Sequence, residues 1–276
     1  MRIIVTAGPT REYIDSVRFI TNASSGQMGC AVAEAAARAR HEVTLLLGEG
    51  ANSVGCADSS RRGCFRREES AHGIPAQAEP SGQQDSVCSS QTSSTPYCVV
   101  PFVSVQDLKA DLEERFDQCD ALVMAAAVGD FRPEKILPYK LSRRDGPMTL
   151  KLYPTEDILA GLGQRKRAGQ IIVAFAVEDV TPEQVELAGE ALDGTFLGES
   201  IAGARADIEG TLHAAVESKA RAEMIEKNAD FVVLNTPAAM AADHSHACIL
   251  SRGGIVLPWA DRPKQVLAEH IVALLK

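Results

Sequence analysis

Near its start the chain places a short apolar strand, a polar loop, an alanine-rich helix and a second apolar strand in succession. This order constrains its fold more than any other feature. The pattern predicts strands at Arg2–Thr6 and Glu42–Leu47, with a helix at Gly29–Arg40 between them. A strand–helix–strand unit has a right-handed crossover and pairs its strands in parallel. The chain is therefore expected to build a parallel sheet covered by helices.

Later segments continue this pattern. A Ser-capped amphipathic helix is predicted at Ser104–Asp117, a closing helix at Gln265–Leu275 and a hairpin around Arg252-Gly253-Gly254. Further strands are predicted at Val99–Val103, Ala121–Met124, Ile171–Ala176 and Phe231–Leu234. The fold class is therefore α/β, a Rossmann-like three-layer fold with a central, mainly parallel sheet and a small β flap and hairpin region.

Composition excludes some classes of protein. The 276 residues carry a formal net charge of -9, with 28 Lys and Arg against 37 Asp and Glu, which argues against a duplex nucleic-acid binder. The sequence shows neither a targeting signal nor an apolar run long enough to span a membrane. The seven cysteines lack C-x-x-C spacing and are typical of reduced thiols. A cytoplasmic protein is expected.

Two segments depart from the strand and helix pattern. Residues 51–96 are rich in Ser, Gly, Gln and Arg, which predicts a flexible surface insertion. Leu187–Val216 is longer than a connection between a strand and a helix requires, and predicts a helical excursion with glycine breaks. The whole chain, residues 1–276, is expected to form a single domain that contains both segments.

The loop after the first strand carries the chemistry-bearing residues. It lacks both the G-x-G-x-x-G pattern of NAD-binding proteins and a P-loop lysine. Ser24-Ser25-Gly26 stands directly before the predicted helix, where hydroxyl and backbone N–H groups can hold a phosphate. The same residues are also typical of a plain helix cap without any ligand.

Two more clusters follow later strands. Ala126-Ala127 with Asp130 follows the strand at Ala121–Met124, where small residues let a ligand approach the backbone. Lys140 lies in the basic segment Pro138–Gly146, which precedes an alternating strand predicted at Met148–Leu152. Such lysines can neutralise a triphosphate, although out of context a basic turn of this kind favours a merely solvated face. For the first cluster, the alternative is tight packing against a helix with Asp130 as a solvated turn residue.

Together these segments resemble the phosphopantothenate–cysteine ligase (phosphopantothenoylcysteine synthetase) family of coenzyme A biosynthesis. The resemblance is carried by Ala7–Glu12, Val17–Asn22 and Ser24–Gly29, followed at the expected distances by Ala126–Phe131 and Lys140. It implies a two-step ligation. The carboxylate of 4′-phosphopantothenate attacks the α-phosphate of CTP or ATP and releases pyrophosphate, and the amine of L-cysteine then displaces the nucleotide.

The resemblance also implies roles for individual residues. Asn22 and Lys140 would be catalytic: Asn22 would donate to the oxyanion of the second step, and Lys140 would lie over the triphosphate while Mg²⁺ shares the charge. No protein ligand is assigned to the metal. Substrate-binding positions would be Arg18, Asn22, Ser24, Ser25, Gly26, Ala126, Ala127 and Asp130. Nucleotide-binding positions would be Gly8, Ser25, Gly26, Met28, Asp130, Lys140, Asp157, Ile158, Phe175 and Lys227.

A homodimer is implied as well, with Arg18 reaching the site of the partner subunit. The ligase motif begins at Met1, so a stand-alone ligase without flavin is expected. Met28 and the basic segment that carries Lys140 favour the CTP-using branch of the family. Glu223 occupies a position that is usually basic in the family. The alternatives are an NAD(P)-dependent Rossmann-type reductase and a non-catalytic nucleotide-binding module.

Overall fold

The computed structural model describes residues 1–51, 97–177, 201–237 and 242–276, with only the backbone described at 145 and 201–212. The described chain forms two compact units, Met1–Ile158 with Lys264–Lys276 and Leu159–Pro263. Residues 52–96 of the predicted insertion and 187–200 of the predicted excursion lie outside the described residues. The single-domain organisation stays a prediction.

The first unit is built on a parallel sheet of four strands. These are β1 (Arg2–Ala7), β4 (Glu42–Gly48), β5 (Cys98–Phe102) and β6 (Ala121–Met124). Strand β1 is central, pairing in parallel with β4 on one side and β6 on the other, and β4 pairs in parallel with β5. All four carboxyl ends therefore lie at one edge, and the predicted α/β fold with a mainly parallel sheet is confirmed.

Three helices accompany this sheet. Helix α1 (Gln27–Arg38) packs against α5 (Lys264–Ala273). Helix α2 (Val105–Arg115) begins at Ser104, which forms a reciprocal capping box with Asp107. The predicted Ser cap is confirmed, because the hydroxyl of Ser104 accepts from the backbone N–H of Asp107 at 3.2 Å.

Helix α1 lies directly on β1. A Cβ atom added to Gly29 would lie 2.5 Å from the Cβ of Ala7 and 2.6 Å from the carbonyl oxygen of Thr6. A side chain at this position would therefore collide with the strand backbone, and the glycine sets how closely the helix approaches the sheet. Alanines and Val32 fill the rest of the contact, which explains the alanine-rich sequence.

Two small antiparallel sheets stand beside the main one. Strands β2 (Arg11–Tyr13) and β3 (Phe19–Thr21) form a hairpin in the segment that sequence analysis treats as a loop. Strands β7 (Phe131–Pro133) and β8 (Leu152–Pro154) form the second pair. The strand predicted at Met148–Leu152 is wrong in position, because pairing with β7 begins only at Leu152.

Within its described residues, the second unit contains four strands and two helices. Its strands are β9 (Ile171–Val177), β10 (Phe231–Asn235), β11 (His244–Ser251) and β12 (Gly254–Pro263), of which β9 and β10 are parallel and the others antiparallel. Helix α3 spans Ile158–Gln164 and helix α4 spans Ile201–Glu226. Gly203 and Gly210 lie inside α4, so the predicted glycine breaks are wrong at these two residues.

The structure bears in part on two predictions, the redox state of the cysteines and the lack of a membrane-spanning segment. Cys98, Cys119 and Cys248 are thiols, whereas Cys30 is disulfide-bonded, so the expectation of reduced cysteines is wrong at Cys30. Among the described residues, no helix has the length and apolar character needed to cross a membrane.

Candidate active site

The candidate site begins where β1 ends and α1 starts. Gly8 follows β1 with a φ of 84°, and Gly26 precedes α1 with a φ of 76°. A Cβ atom added to Gly26 would lie 3.1 Å from the Cα of Gly8 and 2.8 Å from the Cβ of Ala51. Glycine is therefore required at Gly26 both by the left-handed backbone and by the close approach of the two segments.

The first turn of α1 carries no side-chain cap. Gly26 is the cap residue and makes no side-chain hydrogen bond, while the hydroxyl of Ser24 accepts from the N–H of Gly26 at 3.4 Å. The cap residue is therefore Gly26 rather than a serine. The first N–H groups of a helix lack acceptors within the helix and attract anions. This turn, which includes the half-buried Met28, has no acidic residue to compete with such a ligand.

The segment after β6 is held against this helix start by backbone bonds. The N–H of Ala127 donates to the carbonyl oxygen of Gly8 at 3.0 Å, and the N–H of Thr10 donates to that of Ala127 at 3.2 Å. Ala126 and Ala127 are half-buried, so their backbone is near the surface at the carboxyl edge of the sheet. The structure thus brings Gly8, Gly26, Ala126 and Ala127 together at one edge of the sheet, and their roles stay predictions.

Three threonines hold this segment in place, of which Thr6 and Thr10 are buried and Thr155 is half-buried, and sequence analysis missed them. The Thr6 hydroxyl accepts from the N–H of Ala126 at 3.0 Å, and the Thr10 hydroxyl accepts from the N–H of Gly129 at 2.9 Å. The Thr155 hydroxyl donates to the carbonyl oxygen of Gly129 at 2.7 Å. A threonine at the end of an otherwise apolar strand is the signal that marks Thr6, because a buried hydroxyl needs a partner.

Asn22 joins the hairpin to the same segment. Its side-chain nitrogen donates to the carbonyl oxygen of Val128 at 2.9 Å, and the neighbouring Thr21 hydroxyl donates to the carbonyl oxygen of Thr10 at 2.7 Å. An amide nitrogen carries two hydrogens, so this bond fixes the plane of the amide and leaves a second donor. Asn22 can therefore present an oriented N–H to a ligand at the carboxyl edge.

Asp130 lies at the end of the same segment, and its side chain is exposed. Its carbonyl oxygen accepts from the N–H of Thr155 at 2.8 Å, which places Asp157 and Ile158 a few residues away along the chain. Asp157 is exposed and Ile158 is buried. An exposed carboxylate beside such an edge can accept hydrogen bonds from the hydroxyl groups of a substrate.

The tip of the β2–β3 hairpin holds the segment that carries Lys140. The Oδ2 atom of Asp15 accepts from the N–H of Leu141 at 3.1 Å, and the N–H of Leu137 donates to the carbonyl oxygen of Ile14 at 3.0 Å. Lys140 is exposed and lies between these two anchors. We call residues 137–141 the flap segment.

Arg18 completes this contact from within the same chain. Its Nη1 atom forms an ion pair with Oδ2 of Asp15 at 2.7 Å, and Nη2 donates to the carbonyl oxygen of Leu141 at 3.1 Å. The guanidinium is about half exposed. Its reach toward a partner subunit stays a prediction.

The carboxyl group of Asp15 is fully buried, yet its environment favours the charged form. Burial alone would raise the pKa of Asp15. The N–H groups of Val17, Leu141 and Arg18 and the positive charge of Arg18 outweigh burial and lower the pKa from 3.8 to about 2. Asp15 is therefore an anion at neutral pH.

The other two predicted nucleotide-binding residues belong to the second unit. Phe175 is half-buried in β9, level with Val233 of the parallel strand β10. Lys227 lies four residues before β10, toward the amino end of that strand, and its ammonium is 3.6 Å from the carboxylate of Glu223. The structure separates Phe175 from Lys227 along the strands, and Glu223 offsets the charge of Lys227. Their roles stay predictions.

The carboxyl end of β10 holds polar atoms that sequence analysis did not assign to the site. Within the described residues, only the Oδ1 atom of Asn235 and the hydroxyl of Ser245 are buried side-chain atoms without a hydrogen-bond partner. Asn235 is level with Ala247, two residues from Ser245, so both side chains stand on one face of the sheet. This is the face on which Phe175 lies, since Val233 is level with Phe175.

A comparison with protein families decides the relationship of the chain. A family model described as the DNA/pantothenate metabolism flavoprotein C-terminal domain matches residues 1–58 and 74–193. The chain belongs to this family. The match covers the whole β1–α1 motif and the described strands as far as β9, while β10, β11 and β12 lie beyond it. The resemblance found in the sequence is confirmed.

Two relatives are about a third identical to this chain over the segments that align. A protein from an unidentified prokaryote, described as cysteine/cysteine sulfinic acid decarboxylase, is 36% identical over 195 residues, covering 70% of this chain and 44% of the relative. The coenzyme A biosynthesis bifunctional protein CoaBC of Bacillus subtilis (strain 168) is 34% identical over 176 residues, covering 64% and 34%. This member of the family therefore spans less than half the length of either relative.

A solved structure is similar over nearly the whole chain. The C-terminal domain of a coenzyme A biosynthesis bifunctional protein CoaBC is 25% identical, with a TM-score of 0.57. The similarity covers 99% of this chain and 94% of that domain. The family's C-terminal domain is thus the part of those longer proteins to which this chain corresponds.

Proposed function

We propose that the chain joins 4′-phosphopantothenate and L-cysteine into 4′-phosphopantothenoylcysteine, through an acyl-nucleotide formed with CTP or ATP. Membership of the pantothenate metabolism family supports this, as do CoaBC relatives named for coenzyme A biosynthesis. The observation that carries the proposal is the position of Asn22. Its oriented amide lies against the 126–130 segment, next to a helix start without a side-chain cap.

In the first step, the carboxylate of 4′-phosphopantothenate attacks the α-phosphorus and the bond to pyrophosphate breaks. The negative charge on the phosphates must be neutralised as this bond breaks. Lys140 in the flap segment supplies one positive charge. The N–H groups at the start of α1, preceded by Ser24, Ser25 and Gly26, supply an anion site for a phosphate group.

In the second step, the amine of L-cysteine attacks the acyl carbon. A tetrahedral oxyanion forms and collapses, the bond to the nucleotide breaks, and an amide remains. An N–H donor held in place before the reaction stabilises such an oxyanion without reorganising. Asn22 has this property, since the carbonyl oxygen of Val128 fixes its amide.

Mg²⁺ would accompany the nucleotide. Among the described residues, no cluster of three His, Cys, Asp or Glu side chains could hold a metal ion. Mg²⁺ commonly binds through substrate phosphates with one or two carboxylates. The exposed carboxylates of Asp130 and Asp157 fit this kind of partial coordination, with the triphosphate supplying the remaining oxygen atoms.

A homodimer in the cytoplasm completes the proposal. Apolar side chains stand exposed beside Arg18 and Lys140: Val17 is 55% exposed and Tyr139 is 62% exposed. A second copy of the chain would cover them and bring Arg18 close to the neighbouring site. Sedimentation equilibrium tests this, with a monomer at micromolar concentration counting against it.

Pyrophosphate release tests the activity. Purified protein, Mg²⁺, 4′-phosphopantothenate and L-cysteine are mixed with CTP or with ATP in parallel reactions. Release that requires 4′-phosphopantothenate, together with the mass of the amide product, supports the ligase. Release that is independent of 4′-phosphopantothenate, or no release with either nucleotide, contradicts it. Oxidation of NADPH would instead favour a reductase, and nucleotide binding without turnover would favour a binding module.

A further inference from the structure

Both backbone polar groups of Leu141, its N–H and its carbonyl oxygen, are bound by the ion pair at the hairpin tip. Asp15 accepts from its N–H at 3.1 Å and Arg18 donates to its carbonyl oxygen at 3.1 Å. The two side chains also bind each other at 2.7 Å. The side chains of the ion pair thus satisfy the N–H and the carbonyl oxygen of Leu141, as the backbone of a neighbouring strand does in a sheet.

We propose that Asp15 is a positioning residue that sets the place of Lys140 over the nucleotide by holding the backbone of the flap segment. This inference rests on the proposed ligase function. Lys140 directly precedes Leu141 in the chain, and its side chain is exposed. A lysine is a compact charge on a flexible stem, so the position of its charge depends on where its backbone is fixed.

Asp15 is suited to this task because its own position is fixed. Its Oδ1 atom accepts from the N–H groups of Val17 at 2.8 Å and Arg18 at 2.7 Å, which locks the carboxylate in the turn. Its Oδ2 atom then faces Leu141 and Arg18. The carboxylate is fully buried, so solvent does not compete for these bonds.

The substitution Asp15→Asn separates the hold on the flap segment from a general loss of the hairpin turn. If its oxygen keeps the bonds to Val17 and Arg18, its NH₂ group faces the N–H of Leu141 and the guanidinium, so donors oppose donors. The flap segment is released while the turn remains. We expect pyrophosphate formation in a single turnover to slow by about tenfold to a hundredfold, the scale expected for a small displacement of a reacting group. Transfer of the acyl group to cysteine should keep its rate.

A double-mutant cycle with Lys140→Ala tests whether Asp15 acts through Lys140. If it does, Asp15→Asn should slow pyrophosphate formation much less in the Lys140→Ala background than in the wild type. An undiminished effect, or an equal loss of both half-reactions, overturns the proposal. The matched control is Asp111→Asn, another buried aspartate, which pairs with Arg115 at 3.1 Å on α2. It should leave both rates unchanged.

Hydrogen exchange separates failure of this inference from failure of the ligase function. The amide of Leu141 should exchange at least tenfold faster in Asp15→Asn than in the wild type, whatever reaction the protein catalyses. Unchanged exchange overturns the inference even if the ligase is active. If Asp15→Asn does not fold, Arg18→Lys replaces it in the cycle and the exchange measurement, because lysine cannot hold both Asp15 and Leu141 with one planar group.

Discussion

The side-chain amide of Asn22 donates to the carbonyl oxygen of Val128 at 2.9 Å, across 106 residues of sequence. Val128 belongs to the segment that the buried threonines hold at the carboxyl edge of the first sheet. The orientation of the amide is therefore fixed by a carbonyl group whose own position is fixed. The nitrogen of Asn22, rather than its oxygen, lies on the side of this segment.

Asn22→Asp should separate the two half-reactions. The substitution removes the N–H donor and places a carboxylate oxygen against the carbonyl oxygen of Val128. We expect the acyl-nucleotide to form at a near-normal rate and then react with cysteine about 100-fold to 1,000-fold more slowly, the usual loss for one oxyanion donor. Rapid-quench detection of the acyl-nucleotide measures both rates, and an equal loss of both would contradict the role of Asn22.

Acid should loosen the flap segment through Asp15. Its pKa is about 2 in the folded chain against an ordinary value of 3.8, so the unfolded chain binds more protons between these values. The stabilisation is complete above about pH 4 and is lost as the pH falls toward 2. Urea unfolding at several pH values should show a steeper loss for the wild type than for Asp15→Asn. Parallel pH profiles for the two proteins would refute this.

Gly29→Ala should destabilise the first unit. The added Cβ meets the backbone and side chain of β1 at 2.5–2.9 Å, and neither can move aside without shifting the strand. We expect a loss of about 1–3 kcal/mol in the free energy of unfolding, the usual cost of overpacking.

Gly161→Ala in α3 is the matched control, because nothing lies within 4 Å of its added Cβ. It should stabilise the chain by about 0.5–1 kcal/mol, since alanine loses less backbone entropy in a helix. Urea unfolding followed by circular dichroism measures both variants, and a neutral Gly29→Ala would show that α1 can lift from β1.

Asn235→Ala should weaken nucleotide binding with little change in stability. Its Oδ1 atom is buried without a partner, so the folded chain loses no hydrogen bond at that atom. If the exocyclic amino group of cytosine or adenine satisfies this atom, KM for the nucleotide should rise by about 3-fold to 10-fold, the value of one hydrogen bond.

Asn228→Ala is the contrasting variant. Asn228 donates to the carbonyl oxygen of Gly163 at 2.9 Å, accepts from Arg252 at 2.6 Å, and has a φ of 51°. It should lose about 1–3 kcal/mol of stability, from its hydrogen bonds and its left-handed backbone, with KM unchanged. An unchanged KM in Asn235→Ala would exclude a contact between Asn235 and the nucleotide.

Periodicity was sufficient to predict the elements with a large buried face. An apolar pattern is required wherever an element is buried. This holds for the strands that contain Ile4, Leu122 and Val233 and for the helix that contains Val32. The hairpin β2–β3 has three residues in each strand and was missed. Its strands pair Arg11 with Thr21, Glu12 with Ile20 and Tyr13 with Phe19, and these residues show no apolar alternation.

Candidate site residues can be proposed from the sequence, but their arrangement cannot. Asn22, Asp130 and Lys140 stand out because they follow strands or lie in a motif typical of a family. The bond between Asp15 and Leu141 joins residues 126 positions apart and depends on the course of the backbone between them. No local pattern in the sequence encodes such a contact, and the same holds for Thr10 with Gly129.

Several hydrogen bonds in the first unit join residues more than 100 positions apart in the sequence, and this has a consequence for synthesis on the ribosome. Asn22 meets Val128 after 106 further residues, which take roughly 5–20 s to translate. During that time β1 and α1 can emerge, but the later partners of Thr10, Asp15 and Asn22, which are Gly129, Leu141 and Val128, have not yet been made. The nascent chain thus exposes the loop that carries the family motif before the segments that hold it exist, and a product terminated before residue 128 would carry the motif without these contacts.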